Sequence, residues 1–306
     1  MLKMNKLTIA KIFLLNILII ILFSCEDVVQ VKLENEDIDL ISVEAYISTL
    51  SKNNIFVKLE KSSPVDETEK NEPVTNAIIT ISDDLEVPTT VTLRETEVAG
   101  KYMLPDDVSY SPVPGRTYHL HITTAEGVEI SGSDYMQEVE PLDSVTVHLS
   151  ARGGYEFLAV FINGPNYPGP IQYYKWDIYV NRKFLYESNN MIFVNDELVD
   201  GNYVYNFEIF TDFFINEDER VLHIGDTVFV EQMSISEAAY DFYLGMMNQT
   251  FSGSPFSVPP ANIPGNLTAS NGKKVLGFFS ARDISLSNQV VIDSSNFTPV
   301  KPIAGF

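Results

Sequence analysis

The feature that most limits what this chain can become is an alternation of apolar and polar residues, repeated in short segments with turn residues between them. In the first segment Val43, Ala45 and Ile47 alternate with Ser42, Glu44 and Tyr46. Successive side chains of a strand leave opposite faces, so a period of two marks a strand with one face buried and the other wet. The same pattern recurs at 41–48, 55–61, 77–82, 90–95, 101–104, 117–124 and 128–133. Asn53-Asn54 joins the first two segments and Asp83-Asp84 follows the third. Many short strands with turn signals between them predict an antiparallel sandwich over residues 40–140. The acidic stretch 66–72, ending at Pro73, reads as an exposed loop.

One local pattern is more specific than alternation. In Pro114-Gly115-Arg116-Thr117-Tyr118-His119-Leu120-His121-Ile122, a turn is followed by Tyr, Leu and Ile at every second position. It resembles the tyrosine corner of immunoglobulin-like and fibronectin-III-like sandwiches, in which a phenol caps the loop before a central strand. Pro141, in Val139-Glu140-Pro141-Leu142-Asp143, cannot continue a central strand and marks a boundary.

Residues 142–306 predict a second, more irregular β-rich domain. Its strands fall at 144–149, 156–162, 173–181, 183–186, 203–210, 226–234, 274–281 and 290–292, with Gly153-Gly154 and Gly201-Asn202 among the breaks. A single amphipathic helix is expected near 236–250, because Tyr240, Tyr243, Leu244 and Met247 fall on one face. Ser234-x-x-Glu237 is spaced for a capping box, and Ser236 is a cap in its own right. The fold class is therefore mainly all-β: an immunoglobulin/fibronectin-III-like sandwich, then a β-rich domain with one helix.

The stretch 1–24 reads as a targeting segment. Lys3, Lys6 and Lys11 form a positive region, and 12–23 form an apolar run broken only by Asn16. That run suits a signal peptide and is well short of the about 20 residues that cross a bilayer. Leu22-Phe23-Ser24-Cys25 fits a lipobox, and Cys25 is the only cysteine of 306 residues. The expectation is cleavage before Cys25, acylation of its sulfur, and a tether over 25–39. Glu26 and Asp27 resemble the acidic signals that direct lipoproteins to the outer membrane, with the cell surface favoured over the periplasmic face.

Charge excludes one class of function. None of the 42 acidic residues lies before Cys25, whereas three of the 20 basic ones do, leaving 17 against 42 and a formal −25. Such a body repels nucleic acid and anionic surfaces alike. With Cys25 acylated no thiol remains for disulfides or thiolate metal sites, so packing carries the stability.

Several of these stretches occur together and in order. The lipobox precedes Val43-Glu44-Ala45-Tyr46-Ile47, the run 74–83 (VTNAIITISD) and Pro114-Gly115-Arg116-Thr117-Tyr118. Then come Tyr240-Asp241-Phe242-Tyr243, Pro264-Gly265-Asn266-Leu267 and Val275-Leu276-Gly277-Phe278-Phe279-Ser280. The ordered set resembles the Bacteroidota lipoprotein family known as domain of unknown function 4249, over nearly the whole chain beyond the signal. The resemblance implies an outer-membrane lipoprotein that accompanies TonB-dependent receptors, and it brings no catalytic residues.

Candidate chemistry is sparse. His119 and His121, two apart on a strand, leave the same face and form a metal candidate without a third ligand. Asp196-Glu197, Asp200-Gly201-Asn202 and Glu217-Asp218-Glu219 are acidic loops without the spacing of an EF-hand. Tyr174 and Trp176 share one face of a strand and form a candidate stacking platform for a ligand. No nucleophile elbow, phosphate loop, dinucleotide fingerprint or zinc-protease motif is present. The expectation is a protein that is not an enzyme and uses no cofactor, bound to the membrane through Cys25. It would bind a ligand or serve a TonB-dependent transporter. The alternative is a lipid-anchored glycan or peptide hydrolase using carboxylates of the second domain.

Overall fold

The computed structural model describes residues 40–50, 55–62, 71–185, 192–213, 220–250 and 263–297. Residues 1–39, with the expected signal segment, the expected tether and Cys25, and the acidic run Glu217-Asp218-Glu219 lie outside the described residues. Ile38–Phe306 forms one compact unit.

Seven strands open it: β1 (Ile41–Ser48), β2 (Phe56–Lys61), β3 (Ile78–Asp83), β4 (Thr90–Glu95), β5 (Lys101–Met103), β6 (Arg116–Thr123) and β7 (Glu129–Met136). Then follow β8 (Ser144–Arg152), β9 (Tyr155–Gly164), β10 (Tyr173–Val180), β11 (Lys183–Phe184), β12 (Ile192–Asn195), β13 (Val204–Thr211) and β14 (Thr227–Ile235). Helix α1 (Glu237–Thr250) precedes β15 (Leu267–Ala269), β16 (Val275–Arg282), β17 (Ile284–Leu286) and β18 (Val290–Val291). Among the described residues the protein is all-β apart from that helix and a short 3-10 turn at Ser294–Phe297.

The first body is a sandwich of nine strands in the order β15-β7-β6-β3-β4-β5-β2-β1-β16. Its two faces are β7-β6-β3-β4 and β5-β2-β1, the pairing of a fibronectin-III-like sandwich, made continuous where Arg94 pairs with Met103. The alternation read from sequence is what fills it. Val43, Ala45 and Ile47 meet Val57, Leu59, Ile79, Ile81, Leu120 and Ile122 in one buried cluster. The tyrosine corner is formed: the Tyr118 hydroxyl accepts the Val113 N–H at 2.6 Å and donates to the Val113 carbonyl at 2.8 Å. The ring beneath is fully buried, so the phenol ties the preceding loop to the core.

Strand pairing carries the chain back across Pro141. β15 pairs with β7, and β16 runs parallel to β1 from Ile41↔Val275 to Ser48↔Arg282. Strands far downstream of the proline therefore complete the sheet that the first seven begin. Periodicity carries no information on which sheet a strand joins, and a parallel partner needs no hairpin to announce it.

The second body sets the three-stranded sheet β13-β9-β8 against β11-β10-β14-β17, with β12 on β10 and β18 on β14. Gly153 and Gly154, both at positive φ, make the two-residue turn that pairs Arg152 with Tyr155. Val145, Val147, Val160 and Ile162 pack on Trp176, Ile178, Val228 and Val230. Helix α1 covers the opposite face of β10 and β14, with Tyr240, Tyr243 and Met247 against Phe193, Met233 and Phe278. Its cap is Ser236, whose hydroxyl accepts the Ala239 N–H at 3.1 Å. The expected Ser234 capping box does not form, because the Ser234 hydroxyl donates to the Gln137 carbonyl and accepts the Asp283 N–H at 3.2 Å.

Candidate functional site

Tyr174 and Trp176 are not a surface platform. Both face the second core, 6 % and 4 % exposed, stacked at 6.1 Å between ring centres and 16° between planes. The Trp176 indole donates to Gln232 Oε1 at 2.8 Å and the Tyr174 hydroxyl to Gln172 Oε1 at 2.9 Å. Their polar atoms are thus satisfied inside, as buried Trp and Tyr require. Alternation placed them correctly on one face; it could not say that this face is the covered one.

His119 and His121 are exposed on β6, opposite Ser133 and Ser131 on one side and Ser82 and Thr80 on the other. Hydroxyls thus flank them where a third ligand would be needed. Among the described residues no three His, Cys, Asp or Glu side chains are arranged to hold a metal ion.

The loop acids Asp196 and Asp200 are engaged in holding the chain. Asp196 accepts the Gln172 N–H at 2.8 Å and the Asn166 amide at 2.9 Å, and Asp200 accepts the Gly169 N–H at 3.0 Å. Glu140 lies with them, accepting the Tyr167 N–H at 2.6 Å. Burial pushes its carboxyl above the usual range, and the charges of Asp196 and Asp200 add to that.

The paired carboxylates that sequence could not name are Asp177 and Glu231, directly opposite each other on β10 and β14. Like charges facing across a ladder repel, and flanking groups offset this. Lys175 pairs with Asp177, and the Tyr179 hydroxyl donates to Glu231 Oε2 at 3.1 Å. Burial raises the Glu231 carboxyl, Asp177 raises it further, and Arg282 and Lys175 act the other way. Arg282 itself lies over the Tyr46 ring at 3.9 Å, so this cluster joins the two bodies.

A concave site of about 370 Å³ opens at the end of the sandwich where β1 and β16 begin and β2 and β6 end. Ile41, Val128, Ile130 and Val275 give it an apolar floor, and Lys61, Lys273, Lys274, Glu72 and Glu126 surround it. Lys61 and Glu72 stand 3.5 Å apart. Neither lysine of the β15–β16 turn is ion-paired among the described residues, and both are exposed. The site went unread in sequence because its charges come from turns far apart in the chain.

Comparison with known proteins gives one family. A family model described as Domain of unknown function (DUF4249) matches residues 26–285. No curated protein matches the chain.

Proposed function

The chain belongs to the DUF4249 family, and we propose that it is a non-catalytic lipoprotein, acylated at Cys25 and held at the outer membrane of a Bacteroidota cell. There its β body binds a ligand or serves as an accessory component of a TonB-dependent transporter. The observation that carries this reading is the placement of the only cysteine, directly after the apolar run 12–23 and Ser24. One acyl chain holds a protein marginally, at about 0.8 kcal/mol per buried CH₂, and two or more hold it firmly. The internal engagement of Asp196, Asp200 and Trp176 gives these side chains a structural role. Crosslinking in intact outer membranes, followed by pull-down of the tagged full chain in mild detergent, tests the partner. Enrichment of a TonB-dependent receptor supports the accessory role, and recovery of no outer-membrane protein contradicts that role.

A second reading, hydrolysis by carboxylates of the second domain, has one specific observation in its favour. Asp177 and Glu231 face each other, and burial raises Glu231 as a general acid requires. Turnover of a glycan panel lost in both Asp177→Asn and Glu231→Gln would replace the first reading with this one.

A further inference from the structure

We propose that the cavity at the β1/β16 end of the sandwich binds a zwitterionic phosphoethanolamine group, the headgroup chemistry of a membrane phospholipid. This rests on the lipid-anchor reading and gives the body a second membrane contact. Leu40, the first described residue after the tether, enters at this same end, its carbonyl accepting the Ser62 N–H at 2.8 Å. The stretch from Cys25 to Leu40 reaches about 50 Å when extended, so an acylated chain holds this end within that distance of the bilayer.

The lining sets the ligand's charge. Lys273 and Lys274 offer ammonium groups for a phosphate; Glu126 offers a carboxylate for a primary amine, and Glu72, 70 % exposed, can share its charge between Lys61 and that amine. A net anion is repelled by a body whose formal charge from Cys25 onward is −25, whereas a neutral ligand carrying both signs is not. The apolar floor of Ile41, Val128 and Val275 suits the glycerol and first methylenes of a lipid. A cavity of about 370 Å³ holds a group of this size. A quaternary amine cannot donate a hydrogen bond to Glu72 or Glu126, so phosphocholine should be discriminated against.

The test uses residues 25–306 with Cys25→Ser, which contains the whole compact unit and no acyl chain. Vesicles of phosphatidylcholine alone, with phosphatidylethanolamine, and with phosphatidylglycerol are floated with this protein, and free phosphoethanolamine is titrated by calorimetry. The expected result is recovery with the phosphatidylethanolamine vesicles at least tenfold above the other two, and its loss in the Lys273→Glu/Lys274→Glu double variant with an unchanged melting curve. Binding of the free compound without flotation assigns the same site to a soluble ligand of this chemistry and overturns the membrane contact. Equal flotation with all three vesicles, flotation with phosphatidylglycerol only, retention in the double variant, or no binding in either format overturns the proposal. No arm contains the lipid anchor, so failure here leaves acylation of Cys25 untouched.

Discussion

Asn266 and Phe279 hold each other by two hydrogen bonds: the Asn266 side-chain amide donates to the Phe279 carbonyl at 2.8 Å, and its oxygen accepts the Phe279 N–H at 2.9 Å. The same amide donates to the Ser133 carbonyl at 2.9 Å. One side chain thereby ties the loop before β15 to β16 and to β7, where the two ends of the nine-stranded path meet. Asn266→Ala is expected to cost about 2–3 kcal/mol in urea unfolding, since it strands partly buried backbone groups. A loss under about 0.5 kcal/mol, the range of an ordinary surface change, would show that this clasp is incidental.

Gly277 makes the neighbouring contact. At φ 97° its Cα faces the Val43 carbonyl, and an added Cβ would stand 2.0 Å from that oxygen. β1 cannot move away without giving up its pairing with β2, so Gly277→Ala should cost more than about 3 kcal/mol or prevent folding. A soluble variant with an unchanged melting temperature would contradict the parallel β1–β16 register.

The tyrosine corner gives a cleaner comparison. Tyr118→Phe keeps the buried ring and removes both bonds to Val113. The expected loss is about 1–2 kcal/mol. Tyr135, on the adjacent strand, is 49 % exposed. Tyr135→Phe should therefore change stability by less than about 0.5 kcal/mol. Equal effects would remove the special role of the corner.

Asp134 makes stability depend on pH. Burial raises its carboxyl from 3.8 to about 6, opposed by bonds from Ser236, Ala281 and Tyr135 and by Arg282. The folded state therefore holds this proton more tightly than the unfolded one. Its contribution is full below about pH 4 and is lost as pH rises through 6, on the order of 3 kcal/mol. Denaturant unfolding at pH 4, 5, 6 and 7 should show Asp134→Asn gaining on the wild type as pH rises. A difference constant across that range would contradict the assignment.

What sequence could and could not show follows from where the information lies. The inward set Val43, Ala45, Ile47 and the Tyr118 corner were legible because period and turn chemistry are local. The return of β15 and β16 was not, because Asn266 and Gly277 act on residues far away in the chain, and only the spatial pairing exposes their role. Tyr174 and Trp176 meet the same limit: one face is visible in sequence, its cover is not. The motifs that mark the family in sequence, Pro264-Gly265-Asn266-Leu267 and Val275-Leu276-Gly277-Phe278-Phe279-Ser280, are in the fold the closure of the sandwich.

Everything proposed about where this protein works depends on the sulfur of Cys25. Cells expressing the full chain or its Cys25→Ala variant are grown with radiolabelled palmitate, and the protein is recovered from outer-membrane and soluble fractions. Label is expected in the wild type alone, with the variant unlabelled in both fractions. Equal labelling of the wild type and the variant would contradict it.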